Sequence, residues 1–74
     1  RVSSVHLVCD NAPGAIARVT LALLDVGADI ESSSSSIAED GRGLQHYEIT
    51  HSASRSQVRK ALRAVPGVQS VSVD

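Results

Sequence analysis

Two stretches of the chain alternate apolar and polar side chains with the period of a β-strand. In residues 2–9, Val5, Leu7 and Cys9 fall on one face and His6 falls on the other. Residues 44–51 follow the same rule, with Tyr47 and Ile49 on one face and Leu44, His46 and Glu48 on the other. Residues 68–74 predict a further strand, on which Val71 and Val73 share a face.

Two other stretches repeat their apolar residues at helical spacing. The first runs from Pro13 to Val26, with proline in its first turn and Gly27 at its end. If Pro13 is the first helical residue, the N-cap position falls on Ala12. The second runs over residues 54–65, and its apolar positions are Val58, Ala61, Leu62 and Val65. Ser54 is its expected N-cap and Pro66-Gly67 its end.

Residues 29–38, which contain five consecutive serines, allow two interpretations. A serine run is typical of a linker. Ile30 and Ile37 bracket the run, however, and the turn sequence EDGRG follows it. We therefore predict a strand with small side chains on both faces. On it we expect Ser32, Ser34 and Ser36 to face the helices together with Ile30, and Ser33 and Ser35 to face away.

The predicted element order is β-α-β-β-α-β, which defines an α+β fold of the ferredoxin-like class. In this sandwich a four-stranded antiparallel sheet carries both helices on one face. The first and third strands are central, and the serine-rich second strand lies at an edge. Residues 1–74 are expected to form a single domain of a longer protein.

The amino-acid composition argues against several classes of partner and activity. The formal net charge is -1 and Tyr47 is the only aromatic residue, so neither a nucleic-acid nor a membrane partner is expected. Cys9 is alone, which excludes an internal disulfide and favours a cytoplasmic location. No cofactor is expected. Because no nucleophile stands beside a base, we predict that the domain is not an enzyme; acyl-phosphate hydrolysis is the least favoured alternative.

The stretch LVCDNAPGAIARVTLALLDVGADIES resembles the ACT domain, a small regulatory module of metabolic enzymes. Its Asp-x-x-Pro-Gly pattern, the later Gly-Ala-Asp-Ile and the tail LRAVPGVQSVSV all contribute, so the resemblance covers essentially the whole chain. ACT domains often form dimers by joining their sheets and first helices. The resemblance therefore implies a homodimer that pairs through the second strand and the first helix.

Many ACT domains bind an amino acid between the first loop of one copy and the second strand of the other. The matching loop residues here are Asp10, Asn11, Ala12, Pro13 and Gly14. The matching residues at the start of the second strand are Asp29 and Ile30. Serine-sensing members carry a histidine where this chain has Cys9 and an asparagine where it has Asp29. The resemblance thus implies an amino-acid ligand without naming it.

The start of the first helix supports either of two roles. An N-terminus without a side-chain acceptor favours a ligand carboxylate. Alternatively, Asn11 or Asp10 folds back and caps the helix. His6, His46 and Glu48 are expected to share the open face of the sheet, where they could hold a divalent ion, act as a pH switch or have no role.

These observations predict a regulatory module that binds a small amino acid, dimerises and controls an attached enzyme domain allosterically. The alternative is a structural dimerisation or interaction domain without a ligand.

Overall fold

The computed structural model describes residues 1–74, which form a four-stranded antiparallel sheet and two helices. The strand order across the sheet is β2-β3-β1-β4, so β1 and β3 are central and β2 is an edge, as predicted. The ferredoxin-like fold class is therefore confirmed. In chain order the elements are β1 (Val2–Cys9), α1 (Ala15–Asp25), β2 (Asp29–Ile37), β3 (Gly43–Thr50), α2 (Arg55–Arg63) and β4 (Val68–Val73).

The core lies between the helices and one face of the sheet. Eleven buried residues form a single cluster there. Cys9 belongs to it, as expected, and its burial, reinforced by the charge of Asp10, raises the pKa of the thiol. The members are Val5, Leu7, Cys9, Val19, Leu23, Ala28, Tyr47, Ile49, Val58, Leu62 and Val73.

Helix α1 ends as the sequence predicts but begins two residues later. At its end the Gly27 N–H donates to Leu24 O and the Ala28 N–H donates to Leu23 O, the paired bonds of a Schellman motif. At its start the N-cap is Gly14, with φ of 83°, and the first helical residue is Ala15. The expectation of an N-cap at Ala12 was wrong, because Gly14 adopts a left-handed turn that few other residues tolerate.

Helix α2 begins with a capping box. The Gln57 N–H donates to Ser54 Oγ at 3.1 Å, and the Ser54 N–H donates to Gln57 Oε1 at 2.8 Å. Two backbone donors that the helix cannot satisfy internally thus find partners at its first turn. The predicted N-cap at Ser54 is confirmed.

The serine run is a regular strand, so the linker interpretation was wrong. A register shift between Ile30 and Ser32 puts an extra residue, Glu31, into the edge strand. Ile30 pairs with Ile49, whereas Ser33 pairs with Tyr47. Residues directly opposite each other in a ladder share a face.

The face assignment predicted for the serines is therefore wrong. A bulge moves every later side chain to the opposite face. Ser33 and Ser35 lie on the helix side of the sheet, and Ser32, Ser34 and Ser36 lie on its open face.

Neither helix of the chain has the length and apolar character needed to cross a lipid bilayer; the longer one has 11 residues.

Candidate functional site

The loop between β1 and α1 is held against the turn that precedes β4. The Asp10 N–H donates to Gly67 O at 2.8 Å, and Gln69 Nε2 donates to Asp10 Oδ1 at 2.6 Å. The Asp10 carboxylate is thus engaged on the far side of the loop. It does not cap α1.

The N-terminus of α1 has no side-chain cap. The Ala15 N–H makes a 3.3 Å bond to Ala12 O, and the regular ladder starts with the Arg18 N–H donating to Gly14 O. The N–H groups of Ile16 and Ala17 lie between these bonds and donate to no protein acceptor. Neither Asn11 nor Asp10 caps this helix start, so the capping role considered from the sequence is wrong.

Arg18 closes one side of this turn. Its Nη1 donates to Pro13 O at 3.3 Å, and its Nε is a fully buried side-chain nitrogen without a hydrogen-bond partner. Its guanidinium therefore covers Pro13 and Gly14 from the helix side and holds the loop in place.

A cleft of about 600 Å³ opens between this helix start and the far end of the β2–β3 pair. One wall consists of the loop and the first turn of α1, and the other consists of residues 35–37 and 43–45. Four of the residues predicted for a ligand site line the cleft, namely Asp10, Asn11, Ala12 and Gly14. Pro13 shapes the loop but does not line it.

Asp29 and Ile30 lie elsewhere in the chain. They sit at the start of β2, opposite Thr50 and Ile49, and border a shallow groove beside Leu24. The stretch of β2 from Ile30 to Ser36 separates them from the cleft by roughly 20 Å at the usual rise per residue. Within one chain, Asp29 and Ile30 therefore lie apart from the loop.

Gln45 is a residue of the cleft that the sequence analysis missed. Only 5% of it is exposed, and Tyr47 Oη donates to its Oε1 at 2.6 Å. Its Nε2 has no protein partner and is not fully buried, so this atom retains access to solvent. The signal was available, because Gln45 shares the parity of Tyr47 and Ile49 and so had to face the helices.

The open face of the sheet carries a separate polar cluster. His6, His46 and Glu48 share the open face, as predicted. The two imidazole rings stack, and Glu48 Oε2 lies 2.7 Å from His46 Nε2. Ser4 Oγ donates to Glu48 Oε1 at 2.7 Å. These two hydrogen bonds, first that of Ser4, lower the pKa of Glu48. No group of three or more potential metal-ligand side chains is arranged to hold an ion.

The similarity of this chain to known proteins lies in its three-dimensional structure. No family model matches the sequence, and a search of curated proteins found no match. The ACT domain of the GTP pyrophosphokinase of Chlorobium tepidum superimposes with a TM-score of 0.79 at 19% identity, over 99% of this chain and 96% of that one.

Two larger proteins contain a similar domain. The regulatory subunit of aspartate kinase from Thermus thermophilus gives a TM-score of 0.76 at 15% identity, over 99% of this chain and 50% of that one. A formyltetrahydrofolate deformylase from Pseudomonas putida gives 0.75 at 15% identity, over 100% and 28% respectively.

The chain is thus an α+β sandwich with an uncapped helix start beside an open sheet edge. Within that class it has the fold of the ACT domain, and the resemblance predicted from the sequence is confirmed at the level of structure.

Proposed function

We propose that this chain is a regulatory module that binds a small amino acid in the cleft at the start of α1. The observation that carries the proposal is the pair of unpartnered N–H groups on Ile16 and Ala17, at the wall of a cleft. Backbone donors at a helix N-terminus attract a carboxylate, because the helix dipole and the free N–H groups act together. Every free amino acid carries such a group.

A second copy of the chain supplies a partner for the ligand's ammonium. Two β2 strands that pair antiparallel about a two-fold axis at Ser33, the middle of the strand, place Asp29 of one copy beside Ile37 of the other. Because Asp29 lies opposite Thr50 on the open face and Ile37 lies on the helix side, the Asp29 side chain would reach the ligand around the end of the strand. Ile37 lines the cleft. The Asp29 carboxylate is exposed and makes no hydrogen bond within its own chain, so it is free to accept from an ammonium group.

The surface beside β2 supports this pairing. The strand is exposed along its whole length and has a partner on one side only. Leu21 and Leu24 on α1 are 58% and 66% exposed, and Ile30 lies next to them. An edge strand without lysine or proline is a template for another strand, and contiguous exposed apolar side chains are typical of interfaces.

The ligand would regulate by linkage. A molecule that contacts both copies binds the paired arrangement more tightly than separate ones and therefore shifts the population towards it. Two of the structural relatives are described as a GTP pyrophosphokinase ACT domain and an aspartate kinase regulatory subunit, which supports a role of this kind in an attached enzyme.

Calorimetric titration with the common amino acids tests ligand binding. We expect at least one to bind, and the change Asp29→Asn to weaken it by about tenfold or more, since an ion pair across the interface is lost. Asp74→Asn, an exposed aspartate beyond the opposite edge strand, is the matched control and should change nothing. The absence of binding by every amino acid at millimolar concentration would overturn the proposal.

Dimerisation is tested separately by sedimentation. Leu24→Glu places a charge in the apolar surface without touching the core, so it should produce monomers of unchanged fold. Ser70→Glu, at an exposed position on the opposite edge strand, β4, should leave the dimer intact. If the unaltered chain is a monomer at all concentrations, the proposed pairing is wrong.

A structural dimerisation domain without a ligand is the second candidate. The apolar groove of Leu21, Leu24 and Ile30 favours it, because this groove lies away from the cleft and needs no ligand. It predicts dimers whose dissociation constant is the same with every amino acid tested.

A further inference from the structure

Gln45 belongs to the sheet wall of the cleft, and its carboxamide is held in one orientation. The Tyr47 hydroxyl donates to Oε1 at 2.6 Å, and both residues are almost fully buried. Burial raises the pKa of Tyr47, so its hydroxyl keeps its proton and remains a donor. Oε1 already accepts from that donor, whereas the NH₂ end of the carboxamide donates to no group of the protein.

That NH₂ end has no partner in the protein, although Gln45 as a whole is only 5% exposed. Nearly all buried polar atoms in folded proteins find a partner, since an unpaired one costs free energy. Gln45 lines the cleft on the helix side of the sheet, and its Nε2 is not fully buried. The unpaired donor is independent of the free N–H groups of Ile16 and Ala17, which belong to a different element.

We propose that Gln45 determines which amino acid the cleft accepts, by donating from Nε2 to a neutral oxygen on the ligand's side chain, a carboxamide or a hydroxyl. This assignment rests on the proposed function, in which the free N–H groups of α1 bind the ligand's carboxylate. The N–H groups of α1 would then bind the ligand's carboxylate, and Gln45 Nε2 would bind its side chain.

The other side-chain classes fit the cleft less well. An aliphatic ligand would cover the Gln45 donor without giving it an acceptor. An acidic side chain would bring a second ligand carboxylate into a cleft that has no lysine or arginine in its lining. A basic side chain has no acceptor to offer Nε2.

Titration with ligand pairs of similar shape tests this assignment on the unaltered chain. The pairs are asparagine with leucine and threonine with valine, and aspartate is compared with asparagine. We expect at least one neutral polar member to bind about tenfold or more tightly than its apolar partner, because the apolar partner leaves Nε2 unpaired. The pair that shows the difference distinguishes a carboxamide from a hydroxyl, and asparagine should bind more tightly than aspartate.

Variants then link the preference to Gln45. Gln45→Glu keeps an oxygen for the Tyr47 hydroxyl but replaces the donor with a carboxylate oxygen, so the preference should disappear. The double change Gln45→Leu with Tyr47→Phe removes both partners together and avoids a buried unpaired hydroxyl; it should also remove the preference. Tyr47→Phe alone is the control, and it should retain the preference because the carboxamide remains.

The outcomes separate the two proposals. If amino acids bind but both pairs bind equally, or if the preference survives in the Gln45 variants, the role of Gln45 is wrong and the proposed function stands. If no amino acid binds the unaltered chain, the proposed function is wrong and the assignment of Gln45 is lost with it.

Discussion

The imidazole rings of His6 and His46 stack across the two central strands, with centroids 4.5 Å apart and planes 6° from parallel. The two residues are direct partners in the β1–β3 register. His46 in turn contacts Glu48, whose other carboxylate oxygen accepts from the hydroxyl of Ser4. The open face of the sheet therefore holds a connected polar row although nothing in the chain covers it.

Glu48 should titrate at a higher pH when its strongest partner is removed. The Ser4 hydroxyl is the first cause of its lowered pKa and His46 the second, so Ser4→Ala should raise the pKa of Glu48 towards its usual range. Carboxyl-carbon NMR titration measures this directly. Ser70→Ala, on the same face but away from Glu48, should leave the titration unchanged.

The lowered pKa of Glu48 also makes the free energy of unfolding depend on pH, with a sign that can be predicted. A carboxyl whose pKa is lower in the folded state stabilises the fold above its unfolded-state pKa, and this contribution is lost as pH falls through the folded-state pKa. The loss between about pH 7 and pH 3 should be smaller in Ser4→Ala than in the unaltered chain. An equal loss in both would contradict the assigned cause. Urea unfolding at each pH is the measurement.

Ser3→Ala should destabilise the fold by about 1–3 kcal/mol, because it leaves a buried acceptor unpaired. His51 Nδ1 is 2.7 Å from Ala53 O, a carbonyl that can only accept, so Nδ1 carries the proton. Nε2 is then the acceptor for the Ser3 hydroxyl at 2.8 Å. Denaturant unfolding measures the change, and Ser72→Ala at an exposed site should cost less than about 0.5 kcal/mol. Equal costs would show that the buried bond is unimportant.

Gly14→Ala should cost about 1–2 kcal/mol, because the φ of 83° at this position strains any residue with a Cβ. The added Cβ would also stand 3.1 Å from Arg18 Nη1, a contact that the flexible side chain can relieve. Gly43→Ala is the control, since Gly43 has no positive φ and its Cβ would meet Cys9 O at 3.6 Å. Thermal unfolding of the two variants should separate them; similar losses would mean that the left-handed turn is not what Gly14 provides.

Ser54→Ala should cost about 1 kcal/mol by removing the acceptor of the capping box at α2. The neighbouring Ser52→Ala is the matched control, because the Ser52 hydroxyl makes no hydrogen bond and the residue is exposed. Urea unfolding of both variants measures the difference. A cost for Ser54→Ala no larger than that for Ser52→Ala would rule out a contribution from the cap.

Most of the helices and strands could be predicted from short stretches of sequence, because hydrophobic periodicity and capping residues act within those stretches. The alternation of apolar and polar residues in β1 predicted that Leu7 faces the protein core. Gly27 and Ser54 predicted the end of α1 and the start of α2. Each signal depends on a few neighbouring residues and on backbone geometry that those residues control themselves. Gly14 differed because proline and glycine together allow both a helix start and a turn before it.

One part of the candidate site could be predicted from the sequence and another part could not. The Asp10–Gly14 loop was predicted from its own residues together with the family resemblance, and four of its members line the cleft. Gln45 could have been placed by its parity with Tyr47, but its unpaired Nε2 depends on where the Tyr47 hydroxyl lies. That hydrogen bond exists only once β3 packs under the helices.

The sequence by itself determined the order of the elements and the apolar faces of β1, β3 and the two helices, whereas the absence of a side-chain cap on α1 was decided by the structure. Only the tertiary structure decided which serines of β2 face the helices, because the bulge at Glu31 arises from pairing with β3. It also decided which residues border the cleft, since the loop and the end of β2 are distant in the chain. Hydrophobic periodicity is a property of one segment, whereas register and clefts are properties of two segments in contact.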